Sequence, residues 1–245
     1  MKILIIRHAE PIYVTDSLTE KGMKEAQLLA LRLSRLDIDD IYCSPLGRAR
    51  MTADATCAKT GKEYEILPWL REFSGKMNDP VTGKRTIPWN LEPRFWTKQP
   101  QLFYSEEWLN HQAMSAGDVR EVYETTGKSF DELLEKYGYK RDGYIYRTEE
   151  NSRKTIALFC HFGIGCAILS HITGIAAPLI WQNFFMPTSS VTTLITEERV
   201  RGEVIFKCMQ LGDTSHLYKF DEPTSHMGLY PEFFIENSAD SGSKA

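Results

Sequence analysis

The run Lys2–Ile6, "KILII", constrains the fold more than any other stretch of this 245-residue chain. It is short, continuous and rich in β-branched residues, without the polar alternation of a half-exposed strand. That pattern fits a strand buried on both faces, as in a parallel sheet covered by helices. The run then ends abruptly in "LIIRHAEP". A core strand has no structural use for an Arg-His pair at its end, whereas a site that handles an anion does.

The segments that follow fit the same sheet. "DSLTEKGMKEAQLLALRLSRLD" reads as a helix, with Ser17 and Thr19 both suited to cap it and Ser17 with Glu20 fitting a capping box. Met23, Ala26, Leu29, Ala30, Leu33 and Leu36 recur at helical spacing. "DDIYCSP" is a second strand. Ser44 as cap and Pro45 as first helical residue open "LGRARMTADATCAKTG", with Gly61 as its stop. "EYEILPWLREF" returns as a third extended segment. This strand–helix alternation predicts a three-layer α/β/α sandwich with a mainly parallel sheet.

From Ser74 to Arg147 the alternation is lost. "TIPWNLEPRFWTKQPQLFYSEEWLNH" is rich in Pro and Trp, and a helical stretch over residues 118–137 carries Gly127 as its expected kink. Residues 74–147 therefore read as one long insertion, a substrate-specificity or lid region, within a single domain over 1–220. "TIALFCHFGIG" resumes the core as a strand, "CAILSHITGI" as a helix, and "SSVTTLITEERVRGEVIFKCMQLGD" as two strands with a turn at Arg201-Gly202. Residues 221–245, ending "ENSADSGSKA", have the composition of a partly disordered tail.

The net charge of −4 argues against nucleic acid or an anionic membrane as partner. No apolar run approaches the length of about 18 residues that a membrane span needs. The five cysteines form no metal-type pairs and read as reduced thiols, so a cytoplasmic protein is expected. No cofactor or metal is implied, since neither a His-Glu-x-x-His motif nor paired Cys-x-x-Cys occurs.

Ligands of parallel sheets bind beyond the carboxyl ends of the strands. Arg7-His8 ends the first strand there, Arg48 lies in the first turn of a helix, and His161 ends the late strand. Glu72 follows the third extended segment. Guanidinium groups grip phosphate through paired hydrogen bonds and stay charged. A neutral imidazole can accept a phosphoryl group, a second can hydrogen-bond the transferring oxygens, and a carboxyl can serve the leaving group and then water. Arg50 competes with Arg48 for the phosphate role, and Glu10, Glu63 and Glu65 with Glu72 for the acid. His216 reads as structural support behind the site. Lys76, Lys84, Arg85, Arg94 and Lys98 offer charge for a second anionic group.

"LIIRHAEP", "LTEKGMKEAQ", "CSPLGRARMTA", "LREFSG", "CHFGIG" and "LGDTSHL", in that order, resemble the histidine phosphatase superfamily, the phosphoglycerate-mutase-like fold. The resemblance spans Met1 to about Leu217 and leaves mainly the insertion uncovered. It implies His8 as phosphorylated nucleophile, Arg7, Arg48 and His161 as the phosphate pocket, and Glu72 as proton donor. Two departures are Ala9 and Phe162, where the family often has Gly. The implied activity is metal-independent phosphomonoester hydrolysis of a small phosphorylated substrate, and a homodimer is the expected assembly. The alternatives are a mutase, whose Glu-Arg-His-Tyr-Gly stretch is "REFSGKM" here, and a non-catalytic phospho-ligand binder. A cysteine phosphatase is excluded because the position six residues after Cys160 is Cys166, where that chemistry needs arginine.

Overall fold

The computed structural model describes residues 1–230, and the rest of the expected tail, 231–245, lies outside the described residues. Eight strands form the main sheet: β1 (Lys2–Arg7), β2 (Asp40–Cys43), β3 (Glu65–Ile66), β4 (Lys140–Asp142), β5 (Ile145–Arg147), β6 (Thr155–Cys160), β7 (Val191–Val200) and β8 (Glu203–Asp213). Their spatial order is β3-β2-β6-β1-β7-β8-β5-β4. The core strands β3, β2, β6 and β1 are parallel, and from β1 onward every pairing is antiparallel.

Burial of β1 on both faces follows from its pattern. Ile3 and Ile5 join one hydrophobic cluster and Leu4 and Ile6 another on the opposite face. Each such side chain contributes about 1.5–3 kcal/mol on burial. Helices α1 (Glu20–Leu33) and α2 (Gly47–Thr60) supply Leu29, Leu33, Ala49 and Ala53 to the Leu4 face. Helices α3 (Val119–Glu135), α4 (Phe162–Thr173) and α5 (Ala177–Asn183) cover the Ile3 face with Phe130, Leu134, Ile168 and Trp181. The layers are thus helix, sheet, helix. No described helix is long and apolar enough to cross a membrane.

Several local expectations change. Thr19 caps α1, its Oγ1 accepting from Gly22 N–H at 2.9 Å, while Ser17 pairs with Ile12 in a small hairpin. Met23 is exposed, so the buried stripe of α1 is narrower than its apolar spacing, and Leu36 lies exposed beyond the end of the helix. The third extended segment is a strand over only Glu65–Ile66. Pro68 then opens a 3₁₀ turn, since proline has no N–H to continue a ladder. The segment 74–147 also contributes to the main sheet, because β4 and β5 form its far edge against β8. Its tryptophans Trp96 and Trp108 are buried in the larger core, whereas Trp89 is only partly so.

Gly127 does not kink α3, which runs unbroken through it. A side chain there would put Cβ 2.6 Å from His171 Nδ1. That ring is fixed because Asp131 accepts from its Nε2 at 2.9 Å. Gly127 therefore exists for close packing of α3 on α4. Gly127→Ala gains about 1 kcal/mol of helix propensity but incurs the roughly 1–3 kcal/mol of overpacking. Urea unfolding should show a net loss of stability; a variant as stable as wild type would mean that the His171 ring yields.

Candidate active site

Register places the reactive residues. Arg7 pairs with Cys160, and His8 N–H donates to Cys160 O at 2.9 Å, so β1 and β6 end together. On the other side of β6, Ser44 N–H donates to Phe159 O at 2.9 Å. Three adjacent parallel strands thus deliver Arg7-His8, His161 and Ser44 side by side. The rings of His8 and His161 lie 5.1 Å apart, and both are buried.

His8 has a defined tautomer. Its Nδ1 lies 2.7 Å from Ala9 O; a carbonyl only accepts, so Nδ1 carries the proton and Nε2 the lone pair. Burial, then the charge of Arg7, holds its pKa well below the usual histidine value, despite the bond to Ala9. Ala9 N–H is itself pinned by Thr52 Oγ1 at 3.0 Å. His161 is likewise held well below its ordinary pKa by burial, then by His8 and Arg48. Its Nε2 lies 2.7 Å from Ser44 Oγ, while its buried Nδ1 has no partner among the described residues.

Ser44 is therefore a support for His161 and not the cap of α2, which begins at Gly47 after Leu46. Arg48, in the first turn of α2, donates to Asp16 Oδ1 at 2.5 Å, and its buried Nε has no partner among the described residues. Tyr13 stacks under its guanidinium, 5.5 Å from the ring centre. Arg50, the competing arginine, is exposed and bonds Tyr64 instead. Arg7 donates to Met186 O at 2.6 Å and Met227 O at 3.0 Å, and its Nε has no partner among the described residues.

Glu72 enters from the turn after β3. Its Oε1 accepts from Phe73 N–H at 2.8 Å and from Ile164 N–H, at the start of α4, at 3.1 Å. Burial pushes its pKa up, against those two bonds and the charge of Arg7. Gly163 makes this approach possible, because a Cβ there would lie 2.8 Å from Glu72 Oε1 and 2.4 Å from the Trp89 ring. Of the competing acids, Glu63 and Glu65 are exposed, and Glu10 accepts from Thr19 Oγ1.

Arg7, Arg48 and Glu72 line a cleft of about 470 Å³ together with Lys76, Trp89 and Phe162, and the rings of His8 and His161 lie buried beneath them. Phe162 stands 5.7 Å from the Arg7 guanidinium, so the departure from glycine adds an aromatic wall. Among the other cations of the insertion, Lys84 and Arg85 border the adjoining hollow, while Arg94 pairs with Glu92. His216 lies behind the site. Its Nε2 is 3.1 Å from Ser189 Oγ, and Ser189 N–H donates to His8 O at 3.0 Å. Burial lowers its pKa to about 4.

Sequence reasoning missed Asp16, Thr52 and Tyr13, which carry no motif signal of their own. It also read everything after Asp221 as tail. Instead Glu222 pairs with Lys21 at 2.8 Å, Met227 O accepts from Arg7, and Gly228, Leu229 and Tyr230 line the cleft. No group of three or more His, Cys, Asp or Glu suited to a metal ion occurs among the described residues.

Comparison with known proteins gives relatives and solved structures of similar fold. The "Adenosylcobalamin/alpha-ribazole phosphatase" of Escherichia coli is 23% identical over 193 residues, 74% of this chain and 84% of that protein. "Phosphoserine phosphatase 1" of Hydrogenobacter thermophilus is 40% identical over 62 residues, 22% of this chain; the match spans only 29% of that relative. Among solved structures, a phosphoserine phosphatase mutant from Entamoeba histolytica, in complex with phosphoserine, superposes with a TM-score of 0.58 at 20% identity. It covers 88% of this chain and 98% of that one. The mycobacterial glucosyl-3-phosphoglycerate phosphatase gives 0.59 at 16% identity, covering 87% and 99%. These likenesses establish the fold. Residues 3–205 match the family model described as "Histidine phosphatase superfamily (branch 1)", and the chain belongs to that family.

Proposed function

We propose that the protein hydrolyses a small phosphomonoester in two steps through a phosphohistidine on His8, without a metal ion. The observation that carries the reading is His8 itself. It is neutral, with Nδ1 committed to Ala9 O and Nε2 left as a nucleophile, beside two arginines able to bind a phosphate. The relatives named above are phosphatases of different esters, which supports the reaction class and leaves the alcohol open.

In the first step the Nε2 lone pair attacks phosphorus and the ester P–O bond breaks. Glu72, whose pKa burial raises above the ordinary carboxyl value, gives its proton to the leaving oxygen. Arg7 and Arg48 neutralise the phosphoryl oxygens through their unpaired Nε groups and by releasing carbonyl and carboxylate partners. Ser44 Oγ accepts from Leu46 N–H, leaving its own proton for His161 Nε2. The ring proton of His161 then sits on Nδ1, where it serves a transferring oxygen. In the second step Glu72 carboxylate takes a proton from water, whose oxygen attacks phosphorus. The P–N bond breaks, orthophosphate leaves and His8 returns neutral. Every charge needed comes from these side chains, so no step calls on a metal.

His8→Ala should abolish phosphate release from p-nitrophenyl phosphate, while wild-type turnover persists with chelator present. Activity surviving in the variant, or lost to the chelator, would overturn the histidine route. In kcat/KM, which reports the first step, Glu72→Gln should slow alkyl esters by about 10²–10⁴-fold and p-nitrophenyl phosphate far less, since that leaving group needs little proton assistance. Equal losses would place Glu72 in binding alone. The pH profile follows from the two shifts. His8 must be unprotonated, and its pKa lies below 6.5; Glu72 must be protonated, and its pKa lies above 4.5. Activity should fall on the basic side as Glu72 ionises, and Glu72→Gln should remove that limb; a limb that persists in the variant would assign it to another group.

A further inference from the structure

The phosphate cleft continues past its reacting groups. Trp89, Asn90, Phe162, Phe185 and residues 228–230 are shared with a second hollow of about 800 Å³. That hollow adds Trp181, Phe184 and the amide side chains of Gln182 and Asn183. Trp89 meets Phe162 edge-on at 5.9 Å, and Phe162 meets Phe185 at 6.2 Å, so the shared wall is a continuous aromatic surface. Beyond it, Phe184, Leu229 and Tyr230 remain 43%, 49% and 75% exposed. A contiguous apolar surface beside a reacting centre marks a binding face.

The charged groups of the hollow are largely matched already. Arg85 pairs with Asp118 at 2.9 Å and Glu92 with Arg94. Asp79 accepts from Val81 and Thr82 N–H, each at 2.8 Å. Lys84 is the remaining cation on its rim. The C-terminal stretch closes the other side. Gly228, at φ +100°, passes so close to Arg7 that a Cβ would lie 2.9 Å from Nη2, and this sets Leu229 and Tyr230 on the rim.

We propose that this hollow receives the alcohol part of the substrate and selects phosphomonoesters whose alcohol carries a flat aromatic or heteroaromatic ring. Trp89, Phe162, Phe184, Phe185 and Tyr230 supply the faces against which that ring packs. The proposal rests on the phosphomonoesterase reading above and adds the class of leaving group to it.

Calorimetric titration of the His8→Ala protein, which cannot turn over, compares 1-naphthyl phosphate with glycerol 2-phosphate. The naphthyl ester should bind about tenfold more tightly, the effect of one or two aromatic contacts. In the added background of Phe184→Ala with Tyr230→Ala that ratio should fall towards one. The same ratio of kcat/KM in the wild-type protein, for 1-naphthyl phosphate against an aryl-free ester, gives a second reading independent of the His8 variant. Equal affinities for the two esters, or a ratio indifferent to Phe184 and Tyr230, would overturn the aromatic subsite. Selective binding without hydrolysis by wild type would overturn the proposed reaction while leaving the subsite standing. Failure of both esters to bind would overturn both.

Discussion

The backbone hydrogen bond from His8 N–H to Cys160 O fixes the relation on which the site depends. It extends the parallel pairing of β1 and β6 by one residue beyond the strand ends, so the two histidines leave the sheet as neighbours. Burial of Ile3 to Ile6 on both faces sets the register of β1, and a slip by one residue would exchange its two buried faces. The hydrophobic pattern of the first strand therefore determines where a polar ring stands. The same burial that orders His8 and His161 keeps both neutral, and the charges of Arg7 and Arg48 reinforce it.

Glycines hold the surrounding pieces at contact distance. Gly22, in the first turns of α1, sits where a Cβ would lie 2.1 Å from Glu10 O, two residues beyond His8. Gly47, at the start of α2, stands against Asp16 O at 2.3 Å by the same measure, and Asp16 in turn holds Arg48. Gly163 admits Glu72 and Trp89. The stretches "LTEKGMKEAQ", "LGRARM" and "FGIG" thus carry glycine because helix starts press on the loop that follows β1 or on the carboxyl of Glu72. The sequence motif and the packing constraint are one feature.

That coupling explains how much was legible in the sequence. Elements defined by long apolar periods and strand-end polar pairs could be read: the parallel core, α1, the β7–β8 hairpin, and His8, Arg48, Glu72 and His161 near one another. What escaped depends on tertiary partners. Ser44 has the chemistry of a helix cap, and only the proximity of β6 diverts it to His161. Gly127 has the chemistry of a helix breaker, and only the His171 ring shows why a side chain is excluded. Asp16 and Tyr13 are ordinary loop residues until Arg48 lies beside them. The stretch after Asp221 looks like solvent-exposed tail by composition, yet Met227 O and Gly228 meet Arg7 because Glu222 is tied to Lys21. No local pattern encodes a contact between residue 7 and residue 227.

The central claim is a covalent bond between phosphorus and His8 Nε2, and it can be observed directly. Rapid mixing of the protein with p-nitrophenyl phosphate, a quench in alkali and localisation of the phosphate on a peptide test it, because a phosphohistidine survives alkali and is lost in acid. The account predicts alkali-stable, acid-labile phosphate on the peptide bearing His8, accumulating further in Glu72→Gln, where attack by water loses its base. Phosphate on any other residue, or turnover through a quench series that never captures a phosphorylated protein in that variant, would contradict it.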